Sequence, residues 1–179
     1  MKQEVPLKHS LRLINNGPVV LVTSRYKGKD NIITIAWCSP VSHEPPALAI
    51  AVKKTRFSYG LIKGAGAFVV NIPDIKLLDK VIFCGKHSGS EVDKFDACGF
   101  SKSPAKYVNV PVIGECVANI ECRVMKDMDC DSHTIFIGKI LYAVVEAGLF
   151  ADHWLLDKVT LIHHLGGKYY EKSGTSIIT

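Results

Sequence analysis

The stretch Val19-Val-Leu-Val-Thr-Ser24 opens the part of the chain that decides the fold. It is a short run rich in β-branched residues, and the turn-like Lys27-Gly28-Lys29-Asp30 separates it from a second such run, Asn31-Ile-Ile-Thr-Ile-Ala-Trp-Cys38. Two runs of this kind around a glycine-containing turn are typical of a β-hairpin. We therefore predict a hairpin here and place the other elements around it.

The elements that follow are mostly strands. Pro45-Pro46 cannot sit in a central strand, and an apolar strand is predicted after them at 47–52. Ser58 is the predicted N-cap of a short helix over 59–65, which Gly66 ends. The remaining predicted elements are strands at 67–72, 118–124, 133–146 and 160–164, a helix at 77–83 and a turn at 126–131.

This pattern is mostly β with short helices, and the length of 179 residues suits one domain spanning 1–179. Strands joined mainly by hairpins favour a β-barrel with attached helices, because a parallel sheet would need regular crossover helices. No G-x-G-x-x-G follows a strand, so the sequence does not encode a Rossmann site for a nicotinamide cofactor.

Composition and charge exclude several classes of function. The net charge of +5 is spread along the chain, and its one dense basic cluster, Lys53-Lys54-Thr55-Arg56, favours a small phosphorylated ligand over nucleic acid. No apolar run is long enough to span a membrane, so we expect no membrane partner and a cytoplasmic location. The six cysteines form no C-x-x-C pair, so neither a metal site nor a disulfide framework is predicted, and a thiol relay is disfavoured.

Four motifs occur in order along the first half of the chain. They are the strand core Asn31-Ile-Ile-Thr-Ile-Ala-Trp37, the turn Ser42-His-Glu-Pro-Pro46, the basic strand end at 53–58 and Phe68-Val-Val-Asn-Ile-Pro73. With these motifs the chain resembles the flavin reductase-like family, which includes flavoredoxins and related ferric reductases. The resemblance implies a Greek-key split β-barrel that binds FMN between the subunits of a homodimer.

The resemblance first implies a set of flavin contacts in the strand core. The backbone of Ala36, Trp37, Cys38 and Ser39 can offer N–H and C=O groups to the polar edge of the isoalloxazine ring. The alternative is that Trp37 and Cys38 are core residues of a buried strand.

The resemblance also implies a phosphate site at the basic strand end. Lys53, Lys54, Thr55 and Ser58 combine charge, hydroxyl groups and a helix start, which suit the phosphate of FMN. Strand alternation allows only one of the two lysines to reach that phosphate. The alternative is an exposed basic turn with Ser58 as an ordinary N-cap.

Four further residues complete the expected cofactor site. Asn31 and Thr34 are polar groups in an apolar strand, and the resemblance places them beside the flavin, although a turn and an ordinary strand position would also suit them. Lys86 and Ser88 lie in the segment 84–89, which the family places near the flavin and which could otherwise be a plain helix-ending loop.

His133 is the expected catalytic residue. It resembles the family histidine at the meeting point of nicotinamide and flavin, where an imidazole can bind the carboxamide or influence flavin protonation. Relatives often carry Gly-Asp-His, whereas this chain has Asp131-Ser132-His133. A purely structural histidine at a strand start is the alternative.

Three functions remain in competition at this point. The first is an enzyme that passes electrons from NADH or NADPH through FMN to a free flavin, a ferric complex or another acceptor. The second is a flavoredoxin-type FMN electron carrier that a protein donor reduces without NAD(P)H. The third is a non-redox module whose old flavin pocket holds another phosphorylated ligand.

Overall fold

The computed structural model describes residues 3 and 5–174. The two ends of the predicted domain, residues 1, 2, 4 and 175–179, lie outside the described residues. The strands are β1 (Gly17–Pro18), β2 (Val20–Tyr26), β3 (Lys29–Ile35), β4 (Cys38–His43), β5 (Pro46–Lys53), β6 (Ala67–Ile72), β7 (Lys102–Pro104), β8 (Pro111–Ile113), β9 (Ala118–Cys130), β10 (His133–Val145), β11 (Ile162–Gly166) and β12 (Tyr169–Lys172). The α-helices are α1 (Leu7–Ser10), α2 (Phe57–Ala65), α3 (Leu78–Lys86) and α4 (Lys94–Cys98).

Seven of these strands form one antiparallel sheet in the order β3-β2-β6-β9-β10-β5-β4. The predicted hairpin is present, with Val22 opposite Ile33 and Ser24 opposite Asn31. Hairpins β4–β5 and β9–β10 supply the other local pairs, while β5 with β10 and β2 with β6 are brought together from distant parts of the chain. The prediction of a mostly β chain with short helices is confirmed.

Strand β2 has apolar residues on both of its faces, because each face packs against a hydrophobic core. Val20 and Val22 point into the barrel core with Phe68 and Phe136, whereas Leu21 points into a second core beneath helices α3 and α4. Fully burying one such side chain contributes roughly 1.5–3 kcal/mol. The continuous run at 19–24 is therefore the signature of a central strand between two hydrophobic layers.

Two predicted boundaries differ from the structure around the strand core. The run 31–38 is not one strand, because β3 ends at Ile35 and the chain then leaves β2 to pair with β5 from Cys38 onward. Ser58 is not an N-cap: Arg56 occupies that position, and the Ser58 hydroxyl accepts a hydrogen bond from Asn31 Nδ2 at 2.7 Å instead.

Three further elements extend beyond their predictions. Helix α3 continues through Gly85 to Lys86, and Gly85 faces the Thr34 side chain of β3. The predicted turn at 126–131 is only Asp131-Ser132, where Asp131 adopts φ 51° and allows a tight hairpin. The polar tail beyond the last predicted strand forms β12, and α4 was not predicted.

No helix within the described residues has both the length and the apolar character required to cross a lipid bilayer.

Candidate functional site

A cavity of about 410 Å³ opens where five parts of the chain meet. Its walls are the ends of β3 and β5, the start of β10, the segment before β1, and the turn between β11 and β12. The lining residues that carry polar or aromatic groups are Arg12, Asn15, Thr34, Trp37, Lys53, Arg56, His133 and His164. Distant segments therefore build a single concave site, as is usual for ligand sites.

The cavity wall is positively charged. Arg12, Lys53 and Arg56 line it, and no aspartate or glutamate is among the described residues that do. Lys54 does not line it, because its Nζ is held by the Asp129 carboxylate at 2.6 Å. Three cations with no carboxylate partner in the described part of the chain favour an anionic ligand group.

Trp37 and His133 form an aromatic pair at the same wall. Their ring centroids lie 5.0 Å apart, and the Nδ1 atom of His133 lies 2.8 Å from the Ser132 hydroxyl. Burial, and then the positive charges of Lys53 and Arg56, lower the pKa of His133 below its ordinary value. His133 is therefore neutral at pH 7 and can donate or accept a single hydrogen bond to a ligand.

Two smaller spaces continue from this cavity. One of about 400 Å³ lies over the sheet face and is lined by apolar groups such as Ala49, Ala51 and Ile135. The other, of about 240 Å³, is bounded by Thr34 and by Lys86 of α3. All three spaces share Ala36, so they form one extended surface that a planar ligand with a polar chain can follow.

The structure brings most of the predicted site residues together. Those that line one of the three spaces are Thr34, Ala36, Trp37, Cys38, Ser39, Lys53, Lys86 and His133. Within the described chain, Asn31, Thr55, Ser58 and Ser88 line none of them. Asn31 and Ser58 are buried and bonded to each other, Thr55 is exposed, and the Ser88 hydroxyl lies 2.7 Å from that of Ser90.

Several residues that line the cavity were not predicted from the sequence. Arg56 lies in the basic cluster at 53–56, so its charge was a local signal for the same ligand site as Lys53. Gly166 and Gly167 stood in a recognisable turn, and both have positive φ, with Gly166 packed closely against the Arg12 side chain. Arg12 carried no local signal, since nothing in its own segment indicates which distant surface it contacts.

A chain of hydrogen bonds links three of the residues that line the cavity, Trp37, Asn15 and His164. The indole Nε1–H of Trp37 donates to Asn15 Oδ1 at 2.9 Å, and Asn15 Nδ2 lies 3.1 Å from Nδ1 of His164. The other ring nitrogen of His164 lies 3.1 Å from the carbonyl oxygen of Gly167. These bonds join residues near both ends of the chain to the aromatic pair.

The wall formed by β3 and α3 is held by two buried contacts. Thr34 donates its hydroxyl proton to the Val81 carbonyl at 2.6 Å, and the buried Lys94 ammonium donates to the carbonyls of Ile32 and Cys84, each at 2.7 Å. Burial lowers the pKa of Lys94, while the two carbonyls satisfy its charged form. The wall is therefore rigid where Thr34 meets the cavity.

The cysteines are not arranged as a reactive thiol site or as part of a metal site within the described residues. All six cysteines are free, and burial raises the pKa of Cys38 to about 11 and that of Cys84 to about 12. These thiols are protonated and poorly nucleophilic at neutral pH. Among the described residues, no group of three or more His, Cys, Asp or Glu side chains is arranged to hold a metal ion.

The fold and the site define a β-barrel protein with a cationic cleft beside an aromatic pair. The family model for the flavin reductase like domain matches residues 12–171. The chain belongs to the flavin reductase-like family, and the split barrel predicted from the sequence is confirmed.

Named relatives agree with this assignment. YddH, an uncharacterised protein of Escherichia coli strain K12, is 32% identical, and the match covers 97% of this chain and 95% of YddH. A ferric-chelate reductase (NAD(P)H) of Archaeoglobus fulgidus is 27% identical over 66% of this chain and 72% of its own. The structure of flavoredoxin from Desulfovibrio vulgaris (Miyazaki F) is similar at a TM-score of 0.90, with 26% identity and coverage of 100% of this chain and 97% of flavoredoxin.

Proposed function

We propose that this chain is an FMN-binding oxidoreductase that passes electrons from NADH or NADPH through FMN to a flavin, a ferric complex or another acceptor. The observation that carries the proposal is the cationic cavity beside Trp37 and His133, in a chain of the flavin reductase-like family. NADH and NADPH, the phosphate of FMN and a ferric complex with acidic chelators all carry negative charge. The positively charged cavity wall would attract each of them.

The residues present fit FMN. Lys53 and Arg56 would hold the phosphate, because they are cations at the mouth of the cavity and no carboxylate among the described lining residues competes for them. The backbone at Ala36 and Trp37 and the hydroxyl of Thr34 would face the ring and its polar chain. When bound, FMN accepts a hydride and returns electrons singly or in pairs.

His133 supports the nicotinamide-dependent reading. It is neutral at pH 7 and lies against Trp37 in the cavity wall, and its Nε2 atom, which has no hydrogen-bond partner within residues 3 and 5–174, would bind a carboxamide group. The name of the ferric-chelate reductase (NAD(P)H) from Archaeoglobus fulgidus adds support for a nicotinamide donor and a ferric acceptor. The side chain would orient the donor, while the apolar sheet face would exclude water.

A second candidate function has its own support. The similar structures include flavoredoxins from Desulfovibrio vulgaris (Miyazaki F) and Methanosarcina acetivorans, the latter 27% identical with a TM-score of 0.86. An electron carrier of that type would bind FMN at the same wall but would take electrons from a protein donor.

One experiment separates these functions. The purified protein is loaded with FMN, its absorption spectrum is recorded, and NADH or NADPH is added without oxygen. Bleaching of the flavin band within seconds supports the enzyme and identifies the donor. A flavin band that neither nucleotide bleaches supports the electron carrier, and failure to bind any flavin contradicts both.

Replacing His133 with alanine should slow the reduction of bound FMN by about 10- to 1,000-fold, as loss of a positioning or polarising group typically does. FMN affinity should change little, because the phosphate and ring contacts remain. Anaerobic stopped-flow reduction measures the rate, with bound FMN measured in parallel. His43→Ala is the matched control, since His43 is exposed on β4. Parental rates in His133→Ala, or joint loss of FMN and thermal stability, would contradict the assigned role.

We also propose that the protein is a homodimer. The space over the sheet face is apolar, and large side chains at its edge are exposed, with Ile14 at 83%, Leu11 at 56% and Trp37 at 42%. Exposed apolar surface of this kind favours association, and a second copy would cover the open side of the cavity.

Light scattering should therefore give twice the mass of one chain at micromolar concentration. Ile14→Asp should shift the equilibrium toward the monomer, because it places a charge on the apolar surface. The exposed Leu7→Asp serves as a control outside that lining. A monomeric parent that retains FMN would refute the dimer.

The six free cysteines support the cytoplasm as the compartment, since thiols stay reduced there.

A further inference from the structure

The hydrogen bonds around Asn15 permit one arrangement of donors and acceptors. Indole Nε1–H of Trp37 can only donate, so the atom of Asn15 that faces it must be the oxygen. The amide nitrogen of Asn15 then faces Nδ1 of His164 and donates to it. That leaves the proton of a neutral imidazole on Nε2, where it donates to the carbonyl of Gly167.

Protonation of His164 breaks this arrangement. Imidazolium carries protons on both nitrogens, so Nδ1–H would point at the Asn15 amide N–H groups. If the Asn15 amide rotated to satisfy His164, its nitrogen would instead face the Trp37 N–H. One donor is left opposite another donor in either case, and the bond to Trp37 is the exposed one.

Among the described residues, no carboxylate lines the two spaces that His164 borders, so none is placed there to stabilise its charged form. Arg12 packs over the glycine turn beside it, Lys86 shares the adjoining space, and the ring of Tyr170 lies with its centroid 5.0 Å from that of His164. Strand β1 contributes only Gly17 and Pro18. The groups that face His164 are thus two cations and a phenol, whose pKa burial raises.

We propose that Asn15 and His164 are positioning residues that hold Trp37 at the wall of the cavity, and that a proton on His164 releases Trp37. The proposal rests on the proposed function in one respect: the Trp37 ring lies against the ring of His133, so a released indole would disorder the place where the nicotinamide is expected. Acidification would then slow reduction of FMN without displacing FMN, because Lys53 and Arg56 lie outside the hydrogen-bonded chain.

The direct test follows the indole N–H of Trp37 by NMR between pH 8 and pH 5, where histidine changes charge. Trp154, the second tryptophan, is the internal reference for intrinsic exchange, and Trp154→Phe assigns the two signals. The protein is measured as purified and again with FMN. Relative to Trp154, the Trp37 N–H should lose about 10-fold in exchange protection at pH 5.

Four variants decide the result. His164→Asn keeps a neutral acceptor toward Asn15 and should preserve protection at both pH values, whereas Asn15→Leu should abolish it at both. His163→Asn, the neighbour on the opposite face of β11, should behave as the parent. His133→Phe should retain the pH effect, which would show that the effect does not come from titration of His133, the ring next to Trp37. Protection that does not depend on pH in the parent, or a pH effect that persists in His164→Asn, overturns the proposal.

A kinetic test adds the functional consequence. Where the nucleotide reduces the protein, the reduction rate of the parent should fall at least about threefold from pH 8 to pH 5 beyond the change in His164→Asn. Identical pH profiles for the two proteins would refute the link to reduction. If neither nucleotide reduces the parent, the proposed enzyme fails, and the NMR result still decides whether His164 controls Trp37.

Discussion

The double variant Lys53→Ala/Arg56→Ala should bind FMN about 100-fold more weakly than the parent, while its affinity for riboflavin should stay within about twofold. In the proposed site each side chain would supply a charged contact to the phosphate, and loss of about 1.4 kcal/mol costs a factor of ten in affinity. Both residues line the cavity. Riboflavin lacks the phosphate, so it reports on the remaining contacts. Calorimetry with both ligands gives the two ratios.

Lys54→Ala is the matched control for this experiment. Lys54 has the same charge and lies next to Lys53, but Asp129 holds it away from the cavity at 2.6 Å. It should leave FMN affinity within about twofold of the parent. Equal losses in Lys54→Ala and in the double variant would show that the effect comes from net charge and not from contact with the phosphate.

Asn71→Leu should lower the free energy of unfolding by about 3 kcal/mol or more, because a buried unpaired donor or acceptor costs about 1–3 kcal/mol. Asn71 is fully buried and donates to the Leu21 carbonyl, while its oxygen accepts from the backbone N–H of Ile113 and from Asn119. Leucine has a similar volume but can pair with none of these groups. Urea denaturation followed by fluorescence measures the change.

The exposed Asn109→Leu is the control for that measurement. Asn109 has one long contact, with Arg25 at 3.4 Å, so its replacement should change stability by less than about 0.5 kcal/mol. If Asn71→Leu were as stable as Asn109→Leu, the network around Asn71 would contribute no net stability.

The Asn71 network also explains why part of the fold could be predicted. Asn71 stands in the motif Phe68-Val-Val-Asn-Ile-Pro73, whose apolar residues and terminal proline indicate a strand, and β6 spans Ala67–Ile72. The hairpin β2–β3 could be predicted for the same reason, since its turn and both runs are adjacent in sequence. Local chemistry determines such elements.

Other features depend on contacts that no local pattern encodes. Helix α3 passes through Gly85, which faces Thr34 of β3, and Ser58 lies inside α2 with its hydroxyl bonded to the distant Asn31. Arg12 and His164 reach the cavity from segments far apart in sequence. The choice between Lys53 and Lys54 depended on strand register, which becomes known only when the partner strands are in place.

Asn15 and His164 are 149 residues apart in sequence and are joined by a hydrogen bond. Their location would allow a bound ligand to leave the cavity while the barrel stays folded. Both residues belong to segments at the margin of the main sheet, the first before β1 and the second in the three-stranded sheet β1-β11-β12. Marginal segments detach by local fluctuations that cost less free energy than global unfolding. Release of a ligand from this cavity would therefore be governed by transient fraying of these segments, while the seven-stranded sheet stays folded.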